Sequence, residues 1–505
     1  MKRDWIQRWS LYVPNKVAIN EYETGRSVTY KQLDTLGRRI GAWLKSMGIE
    51  KGARVAVLAE NCLEYFFLYA AALKTGIILV PFNFRFAARE INHLLSDSLP
   101  SLVIAQEKFQ PMLEECEAYR AVPNKISLTD FTSITYPHRD QTFAVGEVLD
   151  EPELFDHDPI FILYTSGTTG FPKGALYTHG MMFWNALNTA LRLNLTEHDR
   201  TVVFLPLFHT GAWNVFATPF LYFGASFCLM KNFHADNVLA AVEAQKMTVI
   251  MGVPTTLKMM ASSASFATAD LSSVRYAIVG GEPMPLPLIE MWHERGIAIR
   301  QGFGMTEVGP NLFSLHQDDA TRKIGSIGLP NFYVETRVVD DDDNDVLPDE
   351  HGNRSGELLI RGPMTTIGYW NNPKATMEAL RGGWFHTGDI VRQDSEGYFF
   401  VVDRKKNMYI SGGENVYPAE VEKFLFTHDA IADVAIIGVA DEKWGEVGKA
   451  FIVIKAGYTL SEEDVLAYCR QGLAKYKIPK YVEFLPELPK NDTGKINRLA
   501  LKRGE

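Results

Sequence analysis

Between Ile162 and Gly174 the chain reads ILYTSGTTGFPKG, an apolar run that breaks into Thr165, Ser166, Gly167, Thr168, Thr169 and Gly170 and closes on Lys173. Glycines let successive backbone N–H groups curl around phosphate oxygens, hydroxyls add donors, and a lysine supplies charge. The string has the chemistry of a phosphate-binding loop. It is not a Walker A loop, because no Gly-Lys-Ser/Thr follows Gly167 or Gly170 at the required distance. A serine hydrolase is disfavoured too, since the chain lacks a G-x-S-x-G elbow. The second chemical signal is an absence of charge: from Thr201 to Met230 there is no Lys, Arg, Asp or Glu. That is long enough to span a bilayer. However, Pro206, His209, Gly211, Asn214, Pro219 and Gly224 interrupt it, and TVVFLP and GASFCLM read as two buried strands around a short helix. A buried core and an apolar substrate pocket both fit that pattern.

These residues need a scaffold, and the chain is large enough to hold several domains, with 505 residues. Apolar residues make up 46% and charged residues 22%, which places the chain among globular proteins. The formal charge of -10 excludes a global basic field for nucleic acid or an anionic membrane, so a polyanion must be held locally. Cys62, Cys116, Cys228 and Cys469 stand too far apart for a local zinc or disulfide pattern. The N-terminal MKRDWIQRWSLYVPNK has no uninterrupted apolar stretch of the signal-peptide kind. A reducing, cytoplasmic location without a membrane-spanning segment is expected.

Helical and strand patterns alternate along the first part: YKQLDTLGRRIGAWLKSMG, RVAVLA, LEYFFLYAAALKTG, IILVPF, and later NVLAAVEAQK before TVIMGV. Alternation of this kind predicts parallel sheets covered by helices. After about Gly325 short strands split by turn residues predict a small antiparallel barrel or sheet, with the acidic run from Asp340 to Asp345 as a solvated hairpin turn. Beyond Asp403 a compact α+β unit of domain size follows. The expected fold is thus a multidomain α/β one: residues 1–402 with two helix-covered sheets and a small β-barrel, and a mobile domain of residues 403–505.

The string YTSGTTGFPKG resembles the phosphate-loop signature of the adenylate-forming superfamily, which includes acyl-CoA synthetases, aryl-CoA ligases, luciferases and peptide-synthetase adenylation domains. In order along the chain come PLFHTGA (206–212), GGEPM (280–284), QGFGMTE (301–307), GWFHTGDI (383–390), VVDRKKNMYISGGENVYPAEVE (401–422) and PKNDTGKINR (489–498). Their order and spacing match the family from about residue 30 to 498. The resemblance implies ATP, Mg²⁺ and CoA. It implies an acyl adenylate made from a carboxylic acid with pyrophosphate release, then attack by a thiol.

Residue by residue, it places Phe303 on adenine where the family usually has Tyr, Thr306 near phosphate, and Glu307 on Mg²⁺, a hard metal suited to a carboxylate. Gly280, Gly281 and Glu282 line the adenine and acyl pocket, while Asp389 and Arg404 form the ribose pair. Lys495 is the lysine that reaches the carboxylate and α-phosphate. Asp403 is the hinge about which the small domain swings. Gly412, Gly413, Trp444, Tyr476 and Lys477 match positions for CoA. His209 matches the gate of the acyl pocket, beside Gly304, and Trp213 stands either at that gate or in the core.

No acid stands in PLFHTGAW to pair with an amino-acid substrate, and the charge-free segment favours an apolar acyl group, a medium- or long-chain fatty acid. SGGENVYPAEVE and LAKYKIPK also resemble o-succinylbenzoate-CoA ligases, so an aryl acid is the alternative. Loading of a carrier protein in place of CoA, and a luciferase-like oxidase, use the same first half-reaction. A homodimer is compatible with the resemblance.

Overall fold

The computed structural model describes residues 4–135, 151–165, 172–281, 284–490 and 496–503. Packing divides the chain into two units, Met1–Thr336 with Ile360–His386, and Arg337–Leu359 with Thr387–Glu505. Asp403 therefore lies inside the second unit.

The first unit carries the predicted helix-covered parallel sheets. In the six-stranded one the order is Asn124–Ser127, Leu102–Ala105, Arg54–Leu58, Ile78–Pro81, Pro159–Thr165 and Lys173–Thr178. All pairs are parallel except the last, a hairpin in which Thr165 faces Lys173. The phosphate-loop string therefore leaves and re-enters one sheet across a single rung. Helix Leu63–Thr75 is buried on every face, as an all-round apolar sequence demands. A second sheet runs Val249–Gly252, Tyr276–Val279 and Ala298–Phe303 in parallel, then returns antiparallel through Phe313–Ser314 and Leu329–Pro330.

The charge-free segment enters a third sheet. Arg200–Val203 and Ser226–Leu229 lie side by side and parallel, and a π-helix, Gly211–Ala217, and a short helix, Thr218–Tyr222, connect them. This is the two-strand, short-helix pattern read from the sequence. No described helix is long and apolar enough to cross a membrane.

The turn-rich stretch gives a four-stranded sheet, Glu335–Val339, Arg354–Arg361, Phe385–Gln393 and Phe399–Arg404. Here the barrel expectation is corrected: among the described residues the sheet is an open path whose first and last strands do not pair, so no closed barrel forms. The acidic run is a hairpin turn, in which the Asp340 carboxylate accepts from the N–H groups of Asp342 and Asn344 at 2.9 Å. The rest of the second unit is the expected α+β body. Its long hairpin, Ile431–Asp441 with Gly445–Ile454, is covered by helices Pro418–Leu425 and Glu462–Gly472.

Candidate functional site

In the first unit the hairpin and the 301–307 segment meet. Thr165 Oγ1 donates to Glu307 Oε1 at 3.3 Å and the Tyr369 phenol donates to the same oxygen at 3.0 Å. Among the described residues Oε2 accepts no hydrogen bond. A carboxylate with one oxygen anchored and the other open can give a single hard ligand to Mg²⁺, which keeps most of its waters and takes others from phosphate. Among the described residues no group of three or more His, Cys, Asp and Glu stands together as an all-protein metal cage.

Sequence reasoning missed Tyr369. Its segment is sewn to both partners: Trp370 N–H donates to Gly174 O at 2.7 Å, Leu176 N–H to Gly368 O at 3.0 Å, and Thr366 N–H to Glu307 O at 2.7 Å. The Lys173 ammonium stands 5.5 Å over the Tyr369 ring. Burial and then the Glu307 charge push the phenol well above its ordinary range, so it stays a protonated donor at neutral pH. Only the GYW string after a Thr pair hinted at a turn here, and nothing local tied it to residue 307.

Thr306 is buried beside Glu307, and Phe303 packs its ring edge-on to Phe313 at 5.8 Å in a paired register. At Gly304 an added Cβ would fall 2.1 Å from Pro310 O, so close backbone approach alone demands glycine there. Gly280 lies next to this strand, where an added Cβ would be 3.8 Å from Gly302 O, and Gly281 follows it with positive φ. Ser166, Gly167, Thr168, Thr169, Gly170, Glu282 and Lys495 lie outside the described residues.

His209 is exposed on the turn before the π-helix, with its Nδ1 accepting from Gly211 N–H at 3.3 Å. Trp213 requires a correction. Its side chain has 0% exposure, its indole N–H donates to Leu207 O at 2.5 Å, and Phe66 and Phe161 lie 4.8 and 4.9 Å from it. It has no surface to offer a ligand in this structure. Trp213→Ala is accordingly expected to lower stability by about 3–5 kcal/mol, the range for emptying an aromatic core site. Urea unfolding monitored by circular dichroism checks this; a loss under about 1 kcal/mol would return Trp213 to the pocket wall.

In the second unit Asp389 and Arg404 face each other across neighbouring strands, with Arg404 Nε 2.7 Å from Asp389 Oδ1. Asp389 is 2% exposed and Arg404 reaches further out, so the pair joins a fixed carboxylate to an accessible cation. Asp403 accepts from Arg404 N–H at 2.6 Å, Asn407 Nδ2 at 3.0 Å and Ala419 N–H at 2.8 Å. The last bond caps helix Pro418–Leu425, whose own N-cap residue, Tyr417, supplies no side-chain bond.

Gly412 has φ +61, and an added Cβ there would meet the Trp444 ring at 2.9 Å; its N–H donates to Trp444 O at 2.9 Å. The indole is half exposed, next to a backbone that only glycine allows. Gly413 follows with open space around it. Lys477 Nζ pairs with Glu420 Oε1 at 2.6 Å and stands 5.6 Å from the ring centre of Tyr476. The CoA candidates Gly412 and Trp444 are thus in contact. Lys477 comes with a carboxylate partner the sequence did not reveal.

Residues 6–370 match the family model "AMP-binding enzyme" and residues 420–495 match "AMP-binding enzyme C-terminal domain". A feruloyl-CoA synthase of an Amycolatopsis species is 38% identical over 499 residues, covering 99% of this chain and 98% of that protein. An indoleacetate–CoA ligase of Aromatoleum aromaticum is 38% identical over 504 residues, with 98% and 96% covered. Among solved structures, a Mycobacterium tuberculosis fatty acyl CoA synthetase superposes with a TM-score of 0.80 at 35% identity, covering 100% of this chain and 98% of that one.

Proposed function

The chain belongs to the AMP-binding enzyme family as an AMP-forming acid–CoA ligase that works with ATP, Mg²⁺ and CoA, and from that premise we propose that its acid carries an apolar, uncharged acyl group, as a medium- or long-chain fatty acid does. One observation carries the reading: from Thr201 to Met230 the chain that bears His209 has no Lys, Arg, Asp or Glu. A pocket built on it offers no partner to an ammonium or a second carboxylate, and burying either without one is costly. An aryl acid is the second reading, supported by the names of two relatives at 38% identity. o-Succinylbenzoate would need a cation for its distal carboxylate from elsewhere in the chain.

In the reaction the carboxylate oxygen attacks the α-phosphorus of ATP and pyrophosphate leaves; the CoA thiol sulfur then attacks the acyl carbon and AMP leaves. On this proposal the loop from Thr165 to Lys173 cradles phosphate oxygens and Phe303 offers its face to adenine. Asp389 accepts from the ribose hydroxyls, with Arg404 holding it. Glu307 would hold Mg²⁺, which neutralises phosphate charge when bound. Lys495 serves the first half-reaction. The chain beyond Asp403 then turns, so that Gly412, Gly413, Trp444, Tyr476 and Lys477 serve CoA. The compartment belongs to the same reading: all four cysteines are buried and free, which suits a reducing cytoplasm. Sedimentation of the purified enzyme tests the homodimer compatible with it.

Pyrophosphate release across straight-chain, aryl and dicarboxylic acids, with and without CoA, tests the acid. Medium and long straight chains should lead. An aryl acid in front, o-succinylbenzoate included, would favour the second reading, and an aliphatic dicarboxylic acid in front would remove both. A Mg²⁺ titration of the same assay tests the metal ligand. Tyr369→Phe should demand about 10-fold more Mg²⁺, as for loss of a group that orients a ligand, and Glu307→Gln more still. Unchanged titrations would take Glu307 off the metal.

A further inference from the structure

The π-helix Gly211–Ala217 runs straight into helix Thr218–Tyr222, and Pro219 stands at the junction. In the wide register each N–H reaches the carbonyl five residues back, as Thr218 N–H does to Trp213 O. Pro219 has no N–H. Asn214 O thereby loses its donor, and Val215 O loses the one that an ordinary α-turn would have brought. Asn214 is buried, where a carbonyl without a donor is costly.

Side chains from distant segments supply what proline removes. Asn185 Nδ2, on helix His179–Leu193, donates to Asn214 O at 2.6 Å. Asn311 Nδ2 lies 3.3 Å from Asn214 O and 3.4 Å from Val215 O, and also donates to Thr189 Oγ1. Asn311 is itself held at three points. Its N–H donates to Asn185 Oδ1 at 3.3 Å, its carbonyl accepts from Asn331 Nδ2 at 2.7 Å, and its neighbour Leu312 donates to Phe303 O at 3.0 Å. The amide that closes the π-helix is therefore rooted on the return from the strand that bears Phe303, just past Glu307.

We propose that Asn311 is a positioning residue for the acid. By joining Asn185 at Asn214 O, the carbonyl that Pro219 leaves open, and by reaching Val215 O beside it, it keeps residues 211–217 in the π register. It thereby sets the segment after His209 in one place relative to residues 303–307. A slip to the α register would shorten each hydrogen-bonded turn from five residues to four, move the side chains around the helix axis and reshape the wall built on it. The inference rests on the reading of the His209 segment as part of the acid pocket.

The test is a double-mutant cycle of Asn311→Ala and Pro219→Ala in the full-length enzyme, because an alanine N–H at 219 restores a donor from within the helix. Asn311→Ala should lower kcat/KM for the acid by about 10-fold or more, chiefly through KM, and reorder the preferred acids. KM for ATP should stay within about two-fold. Pro219→Ala alone should stay near the wild type, and the double variant should regain most of the acid KM and of the melting temperature lost by Asn311→Ala.

Additive losses, or equal rises of both KM values, would overturn the proposal. So would coupling seen in melting but absent from the acid KM. If Asn311→Ala gives no folded enzyme, Asn311→Ser, which keeps one donor, must show the same rescue. His209→Ala separates the underlying reading: an unaltered acid ranking there removes the pocket assignment, while the melting cycle still judges the carbonyl bridge.

Discussion

Lys495→Ala is expected to lose acyl-adenylate formation by about 10² to 10³, the cost of removing one preorganised group aimed at a developing anion, while retaining CoA attack on a chemically supplied acyl adenylate. Negative charge crowds where the carboxylate oxygen approaches phosphorus, and a compact ammonium stabilises that arrangement more than the ground state. The chain just beyond Lys495 is firmly tied: Arg498 Nη1 donates to Glu422 Oε1 and Ile436 O, both at 2.6 Å, and burial of the guanidinium is outweighed by Glu422, which raises its pKa. A substitution at 495 leaves those anchors untouched. Pyrophosphate exchange reads the first half-reaction and thioester formation from synthetic acyl adenylate reads the second. Equal loss of both would refute a lysine that serves only one step.

Asp403→Pro should do the opposite, keeping adenylate formation and losing thiol transfer. Proline fixes φ near -65°, so a hinge frozen in the adenylating pose could not turn the following domain to admit the thiol. The structure adds a control that the sequence could not suggest. The Asp403 carboxylate caps helix Pro418–Leu425 through Ala419 N–H and also takes bonds from Arg404 and Asn407. Proline removes that cap as well, at a cost of about 0.5–2 kcal/mol. Asp403→Ala removes the cap and leaves φ free, so it should be less stable yet still transfer to CoA. If alanine abolishes transfer as completely as proline, the hinge reading fails and the cap explains the loss.

The chemistry was legible in the sequence because it resides in short strings whose residue types are themselves the function. Glycines, hydroxyls and a lysine at Thr165–Lys173 have the chemistry to bind phosphate, and the apolar run before them needed only to be a strand, which it is. Period and turn residues likewise announced the helix-covered sheets and the two strands around the charge-free segment. Asp389 and Arg404, found by motif, proved to be cross-strand neighbours.

What tertiary structure alone decided are the pairings between distant segments and the side of the wall on which an apolar residue falls. Tyr369 reaches Glu307 across 62 positions, and Asn311 reaches Asn214 across 97, with no local periodicity to mark either. The barrel expected from short strands opened into a sheet, because closure depends on which edges meet and not on strand length. Trp213 shows the limit most plainly. A large apolar side chain gains from leaving water whether it packs in a core or lines a pocket, so its identity cannot separate the two. Tyr65, Phe66, Tyr69 and Phe161, which surround its ring here, lie far away along the chain and meet it only when the sheet and its buried helix are assembled.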